Sequence, residues 1–328
     1  MIEGVLIMKK ITEPVPEGLP SFAGFPGCKD VEKLIADAAI IGIPYKSPYS
    51  VTDPEEGTVI TAPDAIRRHS KRYAGRLNHY DFDFGGDIFA GHDLKIVDCG
   101  NVVMNPEEHS KNLKNASSVI KTLLNKGVVP FVLGGDHGTT IPVLRAYKDY
   151  GPLFLVHVDA HIDFRNERDG FKYGFSSPMR RASEMPWIKG IVHIGLRGSG
   201  SARKQEVDLA RKYGSIIVSA EELHRIGVER IIEMIPQAEG YYFSIDADGF
   251  DPSLSPGVFY PSPGGLTYYQ ITGLIKGIAK KGRISGFDFV EYVPGLDVRN
   301  LTAIFAGRLI LSFIGAMAYS GQIGKEAI

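Results

Sequence analysis

The chain has 328 residues, 44% of them hydrophobic, which suits one large α/β domain or two small ones around a sizeable core. Lysine and arginine number 37 against 38 aspartates and glutamates, and this near-neutral balance has no basic stripe for nucleic acid and no acidic tail. Cys28 and Cys99 lack metal-binding spacing, residues 1–10 lack a signal-like apolar core, and no apolar run approaches the ~18 residues of a membrane span, so a cytoplasmic protein without disulfides or a membrane partner is expected.

Residues 1–36 are dense in proline and glycine (Pro14, Pro16, Gly18, Pro20, Gly24, Pro26, Gly27) and read as an irregular N-terminal arm lying over the domain or a neighbouring subunit. A short buried strand is expected at 38–44, a long polar loop at 45–61 and a helix at 62–73 with Pro63 near its start. A strand at 93–102 precedes a helix at 107–125, where Leu113, Ala116, Val119, Ile120 and Leu123 recur at helical spacing before Gly127. Then come a strand at 128–137, a helix at 139–147, a strand at 153–163 and a loop at 164–179. Further strands are expected at 191–196, 215–218, 241–246 and 284–290, and helices at 202–213, 221–235 (one or two), 268–281 and 301–318. Strands and helices alternate from end to end. That predicts an α/β fold with a mostly parallel sheet between helical layers, and residues 37–328 forming a single domain.

Three strand ends carry the chemistry. In the 153–163 segment, His157, Asp159, His161 and Asp163 fall at every second position, and an extended chain points alternate side chains the same way. Carboxylates crowded in an interior resist ionising, a conflict that a divalent cation removes. The 128–137 strand ends in Gly134-Gly135-Asp136-His137, and the 241–246 strand runs into Asp246-Ala247-Asp248. Ligands of open α/β sheets collect at the carboxyl ends of strands.

Gly134-Gly135-Asp136-His137, Asp159-Ala160-His161-Ile162-Asp163 and the segment 244–252, with Pro256-Gly257 and Pro263-Gly264-Gly265, resemble the ureohydrolase family of arginases and agmatinases over residues 38–318. His157 and the segment 263–268 favour its agmatinase-like branch. The resemblance implies a three-layer α/β/α arginase-like fold and hydrolysis of a guanidino C–N bond to urea and an amine. It also implies a homo-oligomer, trimer or hexamer, and two divalent ions, manganese first and nickel next. One ion would be held by His137, Asp159, Asp163 and Asp246. The other would be held by Asp159, His161, Asp246 and Asp248, with Asp159 and Asp246 bridging. Asp163 would aim the attacking water, Glu291 would hold the guanidinium, and His157 would stand beside the ligands.

The sequence also departs from the family pattern. The loop histidine that many relatives use as a proton shuttle is absent: Tyr173 or Phe175 takes its place, depending on the direction of counting. Ile162 replaces a threonine, and Gly138 stands where a serine is common. Arg165, Asn166, Tyr173, Phe175 and Ser176, with Glu291, are expected to contact substrate. The charged loop Arg165–Arg168–Lys172 suits a substrate carboxylate, whereas Tyr45, Tyr49 and Phe175 would suit a short alkylated guanidine or a biguanide. Arg165-Asn166 with Asp169-Gly170 is similar to formimidoylglutamases, and the missing histidine leaves room for a subunit that needs a paralogous partner.

Overall fold

The structure, a computed structural model, describes residues 11–28, 30–49 and 58–324. The first ten residues of the expected arm and residues 50–57 of the long loop lie outside that set. The centre is a nine-stranded sheet of β1 (Thr12–Glu13), β2 (Ala38–Ile43), β3 (Ile96–Val102), β4 (Val129–Gly134), β5 (Leu153–Val158), β6 (Ile188–Leu196), β7 (Ile216–Ser219), β8 (Gly240–Asp246) and β9 (Arg283–Val290). The strand order is β1-β3-β2-β4-β9-β8-β5-β6-β7. All pairings are parallel except β1 with β3.

The helices are α1 (Ala62–Ser70), α2 (His109–Asn125), α3 (Thr140–Ala146), α4 (Pro178–Ala182), α5 (Lys204–Tyr213), α6 (Ala220–Ile226), α7 (Val228–Met234), α8 (Tyr268–Lys281) and α9 (Leu301–Tyr319). They cover both faces of the sheet, as the alternation of elements predicted. Successive strand residues face opposite ways, so Ala38 and Ile40 join a core with α1 and α6 to α9, whereas Ala39, Ile41 and Ile43 join one with α2 to α5. The inner strands β2, β5 and β8 are buried along their whole length, which is why they read as apolar runs instead of alternating ones.

Four expectations need correction. The arm is not wholly irregular, because Thr12 and Glu13 pair with Val102 and Asn101 at the sheet edge. The 164–179 loop gives way to α4 at Pro178, a turn too short for apolar periodicity to betray. The strand expected at 153–163 stops at Val158. Just beyond, the Asp159 carboxylate accepts the His161 amide at 2.6 Å, a local turn that competes with the ladder. Finally, α9 is long and apolar enough to cross a membrane, with mean hydropathy 1.8 over its span, contrary to the expectation that no run approached this. Its packing explains the composition: 83% of that span is buried inside the fold, and Arg308 reaches Asp83 at 2.6 Å. It is a core helix.

Candidate metal centre

β4, β5, β8 and β9 lie side by side at the middle of the sheet, and the site forms just past their carboxyl ends. At the end of β4 the chain must pass under the 45–49 loop. A Cβ on Gly135 would stand 1.9 Å from the Tyr45 carbonyl, so only glycine fits. Beyond it, Asp136 accepts the amides of Ser47 and Gly138 and turns the chain so that His137 faces inward.

His137, Asp159, Asp163 and Asp246 come together. The Nδ1 of His137 lies 3.2 Å from Asp159, 2.9 Å from Asp163 and 3.3 Å from Asp246. His161 Nδ1 lies 3.0 Å from Asp248 and 3.4 Å from Asp159, forming a second group beside the first. One oxygen of each central carboxylate is fixed by a backbone amide: Asp159 by His161, Asp246 by Asp248 and Asp248 by Ala160. The other oxygen of each turns to the imidazoles. Asp163 (φ 49°) and Glu291 (φ 62°) both adopt the left-handed conformation, uncommon outside glycine and typical of functional sites. The Asp163 carbonyl accepts the amides of Met179 and Arg180, so α4 holds this turn. Glu291, partly buried, accepts the His137 amide through Oε1 at 2.7 Å.

The electrostatics call for a cation. Burial and mutual repulsion push Asp163, Asp246 and Asp248 above the usual carboxylate range. Burial also raises Glu291, with Asp136 adding to the effect. Burial would lower His161, yet Asp159 and Asp248 push it up to about 12. The Nδ1 of His137 is buried without a hydrogen-bond partner. Its Nε2 lies 2.9 Å from the Ser244 hydroxyl, which itself donates to Asp288 at 2.9 Å. Ser244 therefore accepts the Nε2–H, and Nδ1 faces three carboxylates, which favour a positive charge there: a proton on the imidazole or, in its place, a divalent ion. The set of imidazole and carboxylate donors, each held from behind, fits divalent ions.

His157 points differently. Its Nε2 meets Asp159 at 2.9 Å and its Nδ1 meets Nδ1 of His193 at the same distance, so it stands behind Asp159. Burial, helped by the neighbouring His157, keeps His193 neutral. His193, His157, Ser244 and Asp288 occupy one row of the sheet across β6, β5, β8 and β9. The sequence reading missed His193, Ser244 and Asp288. Each is a polar residue flanked on both sides by apolar ones inside a strand, and that is the one signal that marked them.

A cleft of about 580 Å³ opens over the cluster. Asp163, Asp246, Asp248, Glu291, Arg165, Phe175 and Ser176 line it, whereas Asn166 and Tyr173 do not. Asn166 accepts from Arg181, and Tyr173 lies beneath the Arg145 guanidinium at 4.5 Å. Of the two positions that could replace the loop histidine, the one in the cleft is thus Phe175. A serine at 138 has no room, because a Cβ there would press on Asp136, Tyr45 and Ser47 at 2.9–3.0 Å. Arg197, at the end of β6, donates to the carbonyls of Asp248, Phe250 and Ser262 and so fastens the Asp248 turn to the far wall of the cleft.

A mostly parallel α/β sheet with imidazoles and carboxylates gathered at its strand ends is suited to holding divalent ions, and comparison with known proteins gives the class. Residues 36–315 match the Arginase family. A guanidinobutyrase from Pseudomonas aeruginosa is 32% identical over 308 residues, covering 90% of this chain and 92% of its own. The structure of proclavaminate amidinohydrolase from Streptomyces clavuligerus superposes with a TM-score of 0.78 at 29% identity, over 92% of this chain and 97% of that one. Trypanosoma cruzi formiminoglutamase with Mn2+ superposes at TM-score 0.77 and 23% identity, over 91% and 98% of the two chains, a likeness of fold alone. The chain belongs to the arginase family, and it is a hydrolase acting on C–N bonds.

Proposed function

We propose that this protein is an amidinohydrolase that cleaves the guanidino C–N bond of a small guanidino compound, releasing urea and an amine. Two divalent ions, manganese first and nickel next, would be held by His137, Asp159, Asp163 and Asp246 and by Asp159, His161, Asp246 and Asp248. The observation that carries this reading is the convergence of the buried His137 Nδ1 with Asp159, Asp163 and Asp246, beside the His161–Asp248 group. The guanidinobutyrase and the amidinohydrolase among the relatives support the substrate type.

When bound, the ions supply the Lewis acidity that makes water a nucleophile near neutral pH. The residues do the rest. Asp163, turned inward by its backbone, accepts a hydrogen bond from the attacking water and aims it. Glu291 keeps one oxygen on the His137 amide and offers the other to the guanidinium, whose planar N–H edge suits a carboxylate. Holding the guanidinium in that plane leaves its face open to attack. His157 steadies Asp159 from behind. We further propose that residues 37–328 form one catalytic domain, onto whose sheet and core Thr12, Glu13, Phe22 and Phe25 pack, and that the protein assembles as a homo-oligomer.

The test is urea release by protein loaded with manganese or nickel, across guanidino acids, agmatine, guanidine and biguanides. Urea from at least one of them is expected, and none from any would overturn the reading. Formamide from formiminoglutamate would replace it with a formimidoyl hydrolase.

A further inference from the structure

We propose that the substrate is a guanidino acid and that Arg168 receives its carboxylate, which makes Arg168 the specificity-determining residue of the cleft. This rests on the guanidino-hydrolase reading above and names the substrate class within it. The cleft is lined by the acids of the metal cluster, Asp163, Asp246 and Asp248, with Glu291, and also by the cations Lys46, Arg165 and Arg168. A cavity of one charge could take a guanidinium with any tail. A cavity that joins a cluster of acids to a group of cations suits a zwitterion, positive at the reacting end and negative at the other.

The two arginines are not equivalent. Arg165 donates to Glu206 at 3.2 Å, so its charge is already met. Arg168 makes no ion pair with any described residue. Its guanidinium lies over the Tyr49 ring at 5.3 Å and over the Phe175 ring at 5.5 Å. Those rings pack edge-on against each other at 4.8 Å. Stacking occupies the face of a guanidinium and leaves its N–H edge for a planar, bidentate anion.

The platform is held in place beforehand. Tyr49 meets the Ser176 hydroxyl at 3.1 Å, and the Phe175 amide donates to Ser47 at 3.0 Å. Arg168 itself opens a two-residue hairpin. It exchanges backbone hydrogen bonds with Phe171 at 3.0 and 2.8 Å, and Asp169 (φ 53°) and Gly170 (φ 75°) form the turn between them. Two left-handed central residues define the rigid type I′ turn, for which Asp-Gly is a preferred pair. The rigid turn and the two rings reduce the freedom the cation would lose on binding, which favours affinity. A substrate with a cationic tail would meet Arg168 as a like charge.

The experiment compares guanidinobutyrate with agmatine, chains of similar reach and opposite tail charge, on metal-loaded wild type, Arg168→Met, Arg168→Lys and Arg168→Glu. Circular dichroism verifies that each variant is folded. The wild type is expected to prefer guanidinobutyrate. In Arg168→Met, kcat/KM for guanidinobutyrate should fall about 10- to 100-fold, the worth of a charge-assisted pair, mainly through KM. Agmatine should improve in the same variant, Arg168→Lys should restore part of the loss, and Arg168→Glu should reverse the preference. Urea release with agmatine preferred, or an equal loss on both substrates, would overturn this inference and leave the hydrolase reading standing. If neither compound yields urea, calorimetric binding of guanidinobutyrate to wild type and Arg168→Met decides: equal affinity sinks the inference, and weaker binding by the variant supports it.

Discussion

At the scale of single residues, His137 shows how a charge requirement is written into hydrogen bonds. Asp288 and Ser244 engage Nε2, which leaves Nδ1 to face the acids. Ser244→Ala should lower metal affinity about 10- to 100-fold, as loss of such a supporting partner typically does, measured by competition with a chelator. Asp246→Ala, which removes a donor proposed to serve both ions, should lose bound metal and urea release together. Glu291→Gln should retain metal in the same assay while losing turnover; a variant that still turned over would remove Glu291 from the mechanism. His137, Asp159, His161, Asp163, Asp246 and Asp248 were legible because histidine and aspartate bunch at three strand ends. The row behind them was not. His193, Ser244 and Asp288 become neighbours only through cross-strand register, which no local pattern carries. Asn166 and Tyr173 were chosen for their place in a loop, but that loop turns their side chains toward Arg181 and Arg145.

At the scale of elements, the strands were read well because a buried parallel strand announces itself as an apolar run. Their ends were read less well. β5 yields at Asp159 to a side-chain turn, and Asp163 owes its aim to α4, a helix of one turn and a half that has no periodicity to detect. Arg197 links two such ends, and its partners are all backbone carbonyls, so nothing in sequence pairs it with them. Arg197→Met should release the Asp248 turn. The expected outcome is weaker binding of one of the two ions with the other largely kept, seen as a split in a manganese titration followed by electron paramagnetic resonance. Loss of both ions in parallel would mean that Arg197 supports the whole site. On the other face, Arg308 of α9 holds Asp83, and Tyr268 donates to the same carboxylate. Burial alone would raise Asp83, but those hydrogen bonds outweigh it and hold the carboxyl below its usual range. A carboxyl depressed in the folded state stabilises above its unfolded pKa of about 4, and that contribution is lost as pH falls through the depressed value. The Tm difference between wild type and Arg308→Met should therefore be full at neutral pH and shrink below about pH 4.

At the scale of the whole molecule, the layered α/β plan was legible from alternation alone, but the order of strands was not. Which strand lies beside which depends on crossovers, and β9, the last strand in the chain, is inserted at the middle between β4 and β8. A protein made from its N-terminus forward must wait for that strand. Until residues 283–290 leave the ribosome, β4 and β8 present two open edges, the kind of surface that recruits other chains. The His137 amide likewise waits for Glu291, which follows β9 directly. Synthesis stopped just before β9 should give an aggregating fragment that retains no manganese. The assembled site is thus a record that translation has reached the end of the sheet, because the nascent chain cannot finish its catalytic floor before it finishes its frame.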